Sequence, residues 1–396
     1  MQLSELGAWI DAHKEKIENT LRELVEMNTA TVNIDGVDAG MDYLSQLAQD
    51  DGLVVSAINA RHRLLQLCKG NSTPHILLVS HMDTVFPPDG DFLHYEPLED
   101  GFVRGPGTGD IKGGLLVGYW AMLALRELLD EYNVEMIVSA DEEKGSPTIN
   151  EWYLGGHSGA DYAIGLEPGF PQGELTPEVE LGVVYQRRGY GAFRFTVKGV
   201  ACHSGTPDLG VNAIEALAQR IVRLHQLGDP AKGTSVTVGV VNGGITPNTV
   251  AGSVDATVSW RFETMEEGQR LKEEIEEILE ATYITNENIG ASDSVDMTLD
   301  VFLPPMERSA ENQKVIDVVI AEAQRLGQNV VPIARGGGSD CNFISASGTP
   351  SICGMGVPAQ GIHTNQEKIY LPGLYDRIEL LASTLYRMIT DESFGG

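Results

Sequence analysis

The five residues His75-Ile76-Leu77-Leu78-Val79 run directly into Ser80-His81-Met82-Asp83-Thr84, and this junction constrains the fold more than any other stretch. A short, nearly unbroken apolar run bounded by polar residues reads as a strand buried on both faces, which implies a parallel sheet covered by helices. In open α/β sheets, ligands sit beyond the carboxyl ends of the strands. His81 and Asp83, two residues apart at such an end, place a carboxylate where it steadies the imidazole, as partners of metal-bound histidines do. Taken alone, the pair also fits an ordinary surface His–Asp contact.

The pattern recurs. Val134-Glu135-Met136-Ile137-Val138-Ser139 leads into Asp141-Glu142-Glu143, and the strand predicted over 162–166 ends at Glu167-Pro168-Gly169. A further acid, Asp110, lies in a glycine-rich turn just before a helix predicted over 112–129, and His363 stands alone in Gly361-Ile362-His363-Thr364. Each acid has an ordinary alternative as a helix cap. Gathered at one sheet edge, the carboxylates repel one another unless a cation sits among them. Imidazole and carboxylate without thiolate suit Zn²⁺, Mn²⁺ or Co²⁺. Of the neighbours Glu142 and Glu143, one can hold a metal while the other faces its open position as general base.

The 396 residues allow two or three domains. A formal charge of −30 argues against nucleic acid or an anionic membrane as partner, because a phosphate-binding surface needs clustered Lys and Arg. The four cysteines lie far apart without a Cys-x-x-Cys pair, so neither a disulfide framework nor a thiolate metal site is expected. The first 28 residues mix charge with apolar positions, no stretch is long enough for a membrane span, and a cytoplasmic protein is the expectation.

Helices are predicted over 4–27 and 39–50 and strands over 54–59 and 64–68, followed by the buried strand ending at Ser80 and a long Gly- and Pro-rich excursion over 86–109. The character changes near Glu180. Strands over 183–185 and 193–197, a helix over 210–227, strands over 235–241 and 254–262, a helix over 265–281 and a strand over 294–301 follow the ferredoxin-like pattern. After Pro304-Pro305, a helix over 309–327, two short strands and a helix over 372–389 return to the first style. The expected architecture is one α/β domain, 1–180 with 302–396, interrupted by a smaller α/β sandwich over 181–301.

These motifs together resemble the glutamate carboxypeptidase, aminoacylase and succinyl-diaminopimelate desuccinylase family of dizinc metallopeptidases. The stretches that carry the resemblance are Ser80-His-Met-Asp-Thr, Gly105-Pro-Gly-x-x-Asp110-x-Lys-Gly-Gly, Ala140-Asp-Glu-Glu-Lys-Gly-Ser146, Gly165-Leu-Glu-Pro-Gly, Cys202-His-Ser-Gly, Gly243-Gly-x-x-x-Asn248, Gly336-Gly-Gly-Ser-Asp340 and Gly361-Ile-His363. The resemblance implies a zinc-exopeptidase-like catalytic domain, with a mixed sheet between helices, and an inserted lid and dimerisation domain. It implies two zinc ions, with Co²⁺ or Mn²⁺ as substitutes. His81 and Glu167 would hold one, Glu143 and His363 the other, and Asp110 would bridge them. Asp83 would orient His81, Glu142 would be the general base, and His203 would stabilise the oxyanion across a homodimer interface. Asn248, Arg261, Gly337 and Gly338 would bind substrate, Arg261 through its planar fork.

The activity implied is release of a C-terminal amino acid from a small peptide or N-acyl amino acid, with aminoacylase or deacetylase activity as the alternative. The segment 167–180 departs from the glutamate-releasing branch in carrying no Lys. Other readings fare worse. The third glycine of a nucleotide-binding loop is replaced by Asp110, which repels a pyrophosphate. Cys202 and His203 are adjacent strand residues and point to opposite faces, unlike a nucleophile and its base. A metal-less binding protein on the same fold would be marked by a missing ligand, and none is missing.

Overall fold

The computed structural model describes residues 1–70, 74–156 and 159–394. The chain divides into two compact units: Met1–Gln186 with Arg308–Arg335 and Ser339–Gly396, and Arg187–Glu307 with Gly336–Gly338.

The first unit opens with helices α1 (Leu6–Glu26) and α2 (Ile34–Asp50). α2 begins five residues earlier than expected, because the Asn33 side chain accepts the Gly36 N–H and caps it. β1 (Val54–Ile58), β2 (His62–Lys69) and β3 (Ile76–His81) follow. Next come α3 (Gly114–Leu128), β4 (Tyr132–Ser139) and β5 (Tyr162–Gly165). The sheet order is β1-β2-β4-β3-β5, completed by the short strand Ser351–Ile352. β1, β2 and β4 pair antiparallel, while β4, β3, β5 and the last strand are parallel. The sheet is therefore mixed.

All six residues of β3 are buried, as its apolar run requires. α3 is apolar on every side and buried from Gly114 to Leu125, so it runs through the core rather than over it. The strand expected at 183–185 is β6 (Leu181–Arg187), and it joins a separate three-stranded sheet of the first unit, between residues 170–171 and 330–335, rather than the insertion's sheet. Val183 and Val184 are buried there, and Val184 bridges to Cys353.

The second unit is built of β7 (Gly189–Lys198), α4 (Ala213–His225), β8 (Ser235–Gly243), β9 (Ser253–Phe262), α5 (Met265–Glu280) and β10 (Ser294–Leu303). The antiparallel order β8-β9-β7-β10 has the ferredoxin-like topology. Phe193, Phe195, Trp260 and Phe262 pack against Leu217 and Leu271 in its core. α4 starts three residues later than expected, because Asn212 caps it.

The first unit resumes with α6 (Ala310–Leu326), the strand β11 (Val330–Arg335), α7 (Asp340–Ala346) and α8 (Leu371–Thr390), which packs on α3. α7 was not expected. Three glycines precede it, and the reciprocal Ser339–Asn342 cap that starts it is hidden in a loop-like stretch. Among the described residues no helix is long and apolar enough to cross a membrane.

Candidate active site

β4, β3 and β5 are adjacent and parallel, so their carboxyl ends open on one edge of the sheet. That register places His81 in the middle, with Glu142 and Glu143 following β4 on one side and Glu167 following β5 on the other. The turn before α3 brings Asp110 to the same edge. Gly114, the first residue of α3, makes this approach feasible, since a Cβ there would lie 2.0 Å from the Leu166 carbonyl oxygen. His363 arrives from a turn in which its own φ is +62°. That left-handed conformation is rare for a residue with a side chain and is often found where function over-determines the backbone.

The side chains form two groups sharing one carboxylate. His81, Asp110 and Glu167 offer ligand atoms all within 4.8 Å of one another, and so do Asp110, Glu143 and His363. His81 Nε2 lies 3.3 Å from Asp110 Oδ1 and 3.7 Å from Glu167 Oε1. His363 Nε2 lies 3.1 Å from Asp110 Oδ2 and 3.2 Å from Glu143 Oε2. The two oxygens of Asp110 thus face different histidines. Glu142 belongs to neither group, yet its Oε2 is 3.8 Å from His81 Nε2.

Asp83 is fully buried beneath this edge. His81 Nδ1 is 3.0 Å from the Asp83 carbonyl and 3.2 Å from its carboxylate, so backbone and side chain together orient the ring. The carboxylate also accepts from the Thr31 hydroxyl (2.7 Å) and from the N–H groups of Glu142 (3.0 Å) and Glu143 (3.2 Å). It therefore holds the turn bearing both glutamates as well as the imidazole.

This donor set fits a divalent cation. With Nδ1–H directed at Asp83, the Nε2 lone pair of His81 faces carboxylate oxygens, a repulsive arrangement without a positive charge between them. His81 Nε2, Asp110 Oδ1 and Glu143 Oε1 are buried and make no hydrogen bond. The charges make the same point. Burial alone lowers the His81 pKa, but Asp110 and Asp83 overcome it and hold it well above the usual value. Asp110 and Glu143 raise His363 to about 11. Burial pushes Asp110 up, yet the two histidines bring it below the ordinary range. Burial, and then the charge of Glu167, hold Glu142 well above its usual value. The lone pairs that capture protons here are those a metal ion takes by displacing the protons.

The remaining expected residues belong to the second unit. The exposed His203 pairs with Thr249 across a two-residue ladder, and its ring Nδ1 accepts the Gly205 N–H at 3.0 Å. The Asn248 carbonyl accepts the neighbouring Ser204 N–H, so His203 and Asn248 share one turn region. Arg261 stacks on Tyr190, 4.4 Å from the ring centre, and donates to the Gly336 carbonyl at 2.8 Å. The carbonyls of Gly337 and Gly338 accept from Arg187 at 2.9 and 3.2 Å.

Sequence reasoning missed several supporting side chains. Asp340 accepts from Ser139 (2.7 Å), Tyr153 (2.9 Å) and Ser146, which ties the Glu142 turn to α7. His62 accepts the Ala140 N–H at 3.1 Å, and its other nitrogen meets the Thr148 hydroxyl at 2.9 Å, which donates to Asp141. Burial lowers the His62 pKa and keeps the ring neutral, as this accepting role requires. Asp340 stood within a quoted motif without a role. His62, at the start of β2 beside two arginines, carried no signal.

Known proteins are similar to nearly the whole of this chain. The model described as peptidase family M20/M25/M40 matches residues 77–387. Carboxypeptidase G2 of Pseudomonas sp. is 25% identical over 392 residues, covering 95% of this chain and 89% of the relative. Succinyl-diaminopimelate desuccinylase of Magnetococcus marinus is 25% identical over 369 residues, covering 88% and 92%. The crystal structure of aminopeptidase PepT from Bacillus cereus superposes with a TM-score of 0.75 at 24% identity, covering 94% of this chain and 98% of that one.

Proposed function

Since the chain belongs to peptidase family M20/M25/M40 and is a metal-dependent peptide hydrolase, we propose that it is a dizinc carboxypeptidase releasing the C-terminal residue of small peptides or N-acyl amino acids. The observation that carries this reading is Asp110, whose two oxygens each face a separate histidine–glutamate group. His81 and Glu167 would hold one ion, Glu143 and His363 the other, with Asp110 common to both. When bound, the ions supply Lewis acidity that polarises the scissile carbonyl and brings the pKa of a water to about 7.

The chain's own residues do the rest. Glu142 takes the proton of the attacking water and returns it to the leaving amine. Asp83 keeps the His81 ring and the Glu142–Glu143 backbone in place. In this reading His203 donates to the oxyanion from a second copy of the chain, while Asn248, Arg261 and the backbone of Gly337 and Gly338 bind the substrate. A homodimer through the second unit is supported by the open edge strand β8, whose Val240 and Val241 are exposed, and by the exposed Ile245 just beyond it.

A second reading, hydrolysis of an N-acyl amino acid by an aminoacylase or deacetylase, draws support from the relative named succinyl-diaminopimelate desuccinylase. A screen of dipeptides and N-acyl amino acids with Zn²⁺, Mn²⁺ and Co²⁺ separates the two by whether peptides are cleaved or only N-acyl amino acids are. Glu142→Ala is expected to bind metal as the wild type does and to lose roughly 10²–10⁴-fold in kcat, the usual contribution of a general base. A variant within threefold of wild-type kcat would overturn the role given to Glu142.

A further inference from the structure

Glu367 is four residues beyond His363, in a run whose preceding residues, 364–366, are exposed. It is nonetheless wholly buried. Its Oε1 accepts the N–H of Gly109 at 2.9 Å and of Asp110 at 3.1 Å, across more than 250 residues of sequence. The backbone strengthens the tie, because the Glu367 carbonyl accepts the Gly105 N–H at 3.2 Å and its own N–H donates to Thr364 at 3.1 Å. Thr364 in turn donates from its N–H to Gly361, closing the turn that bears His363.

The Asp110 peptide is confined from another direction as well. A Cβ on Gly109 would lie 2.3 Å from that of Ala359, so this backbone has almost no room to shift. A small rotation of the Asp110 peptide would swing both carboxylate oxygens, one away from His81 and the other away from His363.

We infer that Glu367 is a positioning residue: it splices the His363 turn to the Asp110 turn, so that one carboxylate can serve both cation groups. The inference rests on reading those groups as a two-metal site. What it requires of residue 367 is an acceptor oxygen at that place rather than a charge. A buried carboxylate accepting two backbone N–H groups meets this need, and so does the oxygen of a glutamine amide.

The test compares Glu367→Gln with Glu367→Leu in the full chain. Metal-free protein is titrated calorimetrically with Zn²⁺, and the cobalt-substituted protein is read by its visible absorption, which reports ligand geometry. Glu367→Gln is expected to keep zinc affinity within about threefold and to retain the cobalt spectrum. Glu367→Leu is expected to weaken zinc binding about 10–100-fold, the usual effect of losing a residue that orients ligands, and to alter the spectrum. Its kcat should fall while KM stays within twofold. If Glu367→Leu does not fold, Glu367→Ala, which admits water to the two N–H groups, is expected to show the same loss. A folded Leu or Ala variant with wild-type affinity and spectrum overturns the inference, as does a Gln variant that loses metal as badly as Leu. A wild type that binds no zinc would instead overturn the two-metal reading itself.

Discussion

Replacing Asp83 should cost both stability and metal affinity, because one buried carboxylate serves four donors: the His81 ring, the Thr31 hydroxyl and two backbone N–H groups. A hydrogen bond to a charged group contributes about 1.5–3 kcal/mol, and a buried donor left without a partner costs about 1–3 kcal/mol. Asp83→Ala strands the Glu142 and Glu143 N–H groups together and leaves the Thr31 hydroxyl only its long 3.4 Å contact with the Thr84 carbonyl. Since such losses within one network do not simply add, the expected cost is about 3–5 kcal/mol, a large share of a typical 5–15 kcal/mol stability.

Asp83→Asn keeps the shape and one acceptor oxygen. Its amide N–H₂ would face either the Glu142 or the Glu143 N–H, so about 1–3 kcal/mol should be lost. Both variants should bind zinc about 10–100-fold more weakly, since the His81 ring and the Glu143 backbone lose their anchor. Urea unfolding in chelator measures the first effect, and calorimetric zinc titration of the same preparations measures the second. An Asn variant within 0.5 kcal/mol (roughly the scatter of a neutral surface change) that also bound zinc as tightly as wild type would refute this reasoning.

Two further predictions concern parts of the chain away from this edge. His75 and Glu135 pair at 3.1 Å: Glu135 holds His75 above its usual 6.5, and His75, against the upward push of burial, holds Glu135 below 4.5. The histidine's contribution is full below pH 6.5 and fades as pH rises through its raised pKa, whereas the glutamate's is full above pH 4.5 and fades in acid. His75→Ala should therefore cost most between these values, roughly 1 kcal/mol, with a smaller cost at pH 9; a pH-independent cost in urea unfolding would contradict the pairing. In the second unit, Arg220 and Asp293 form a buried pair at 2.7 Å, and Asp293 also accepts the N–H groups of Tyr283 and Ile284. Asp293→Ala leaves a buried cation unpaired and should destabilise that unit by about 3–5 kcal/mol, so a loss below 1 kcal/mol by chemical denaturation would count against it.

The site could be read from the sequence because the strands that carry it are buried on both faces. Their apolar runs end abruptly, and polar residues within a few positions of those ends, among them His81, Glu142 and Glu167, are the ones the parallel register gathers. The ferredoxin-like insertion was legible for a related reason, since its alternating strands and amphipathic helices keep distinct periods. What escaped depended on contacts between distant segments. Glu367 looks like one more solvated charge between Gln366 and Lys368, and only the fold takes it under the Asp110 turn. Residues 183–185 read as the insertion's first strand, yet β6 lies at the centre of a small three-stranded sheet of the first unit, between neighbours at 170–171 and 330–335. Alternation alone does not say which sheet a strand will join.

The most direct test of the account is a single titration in which metal-free protein receives zinc while release of a C-terminal amino acid is followed. The wild type is expected to take up two equivalents per chain and to reach full activity only with the second, and His363→Ala is expected to hold one equivalent at the same concentrations. Saturation of the wild type by a single equivalent, or full hydrolysis by rigorously metal-free protein, would contradict the claim that Asp110 unites two cation sites.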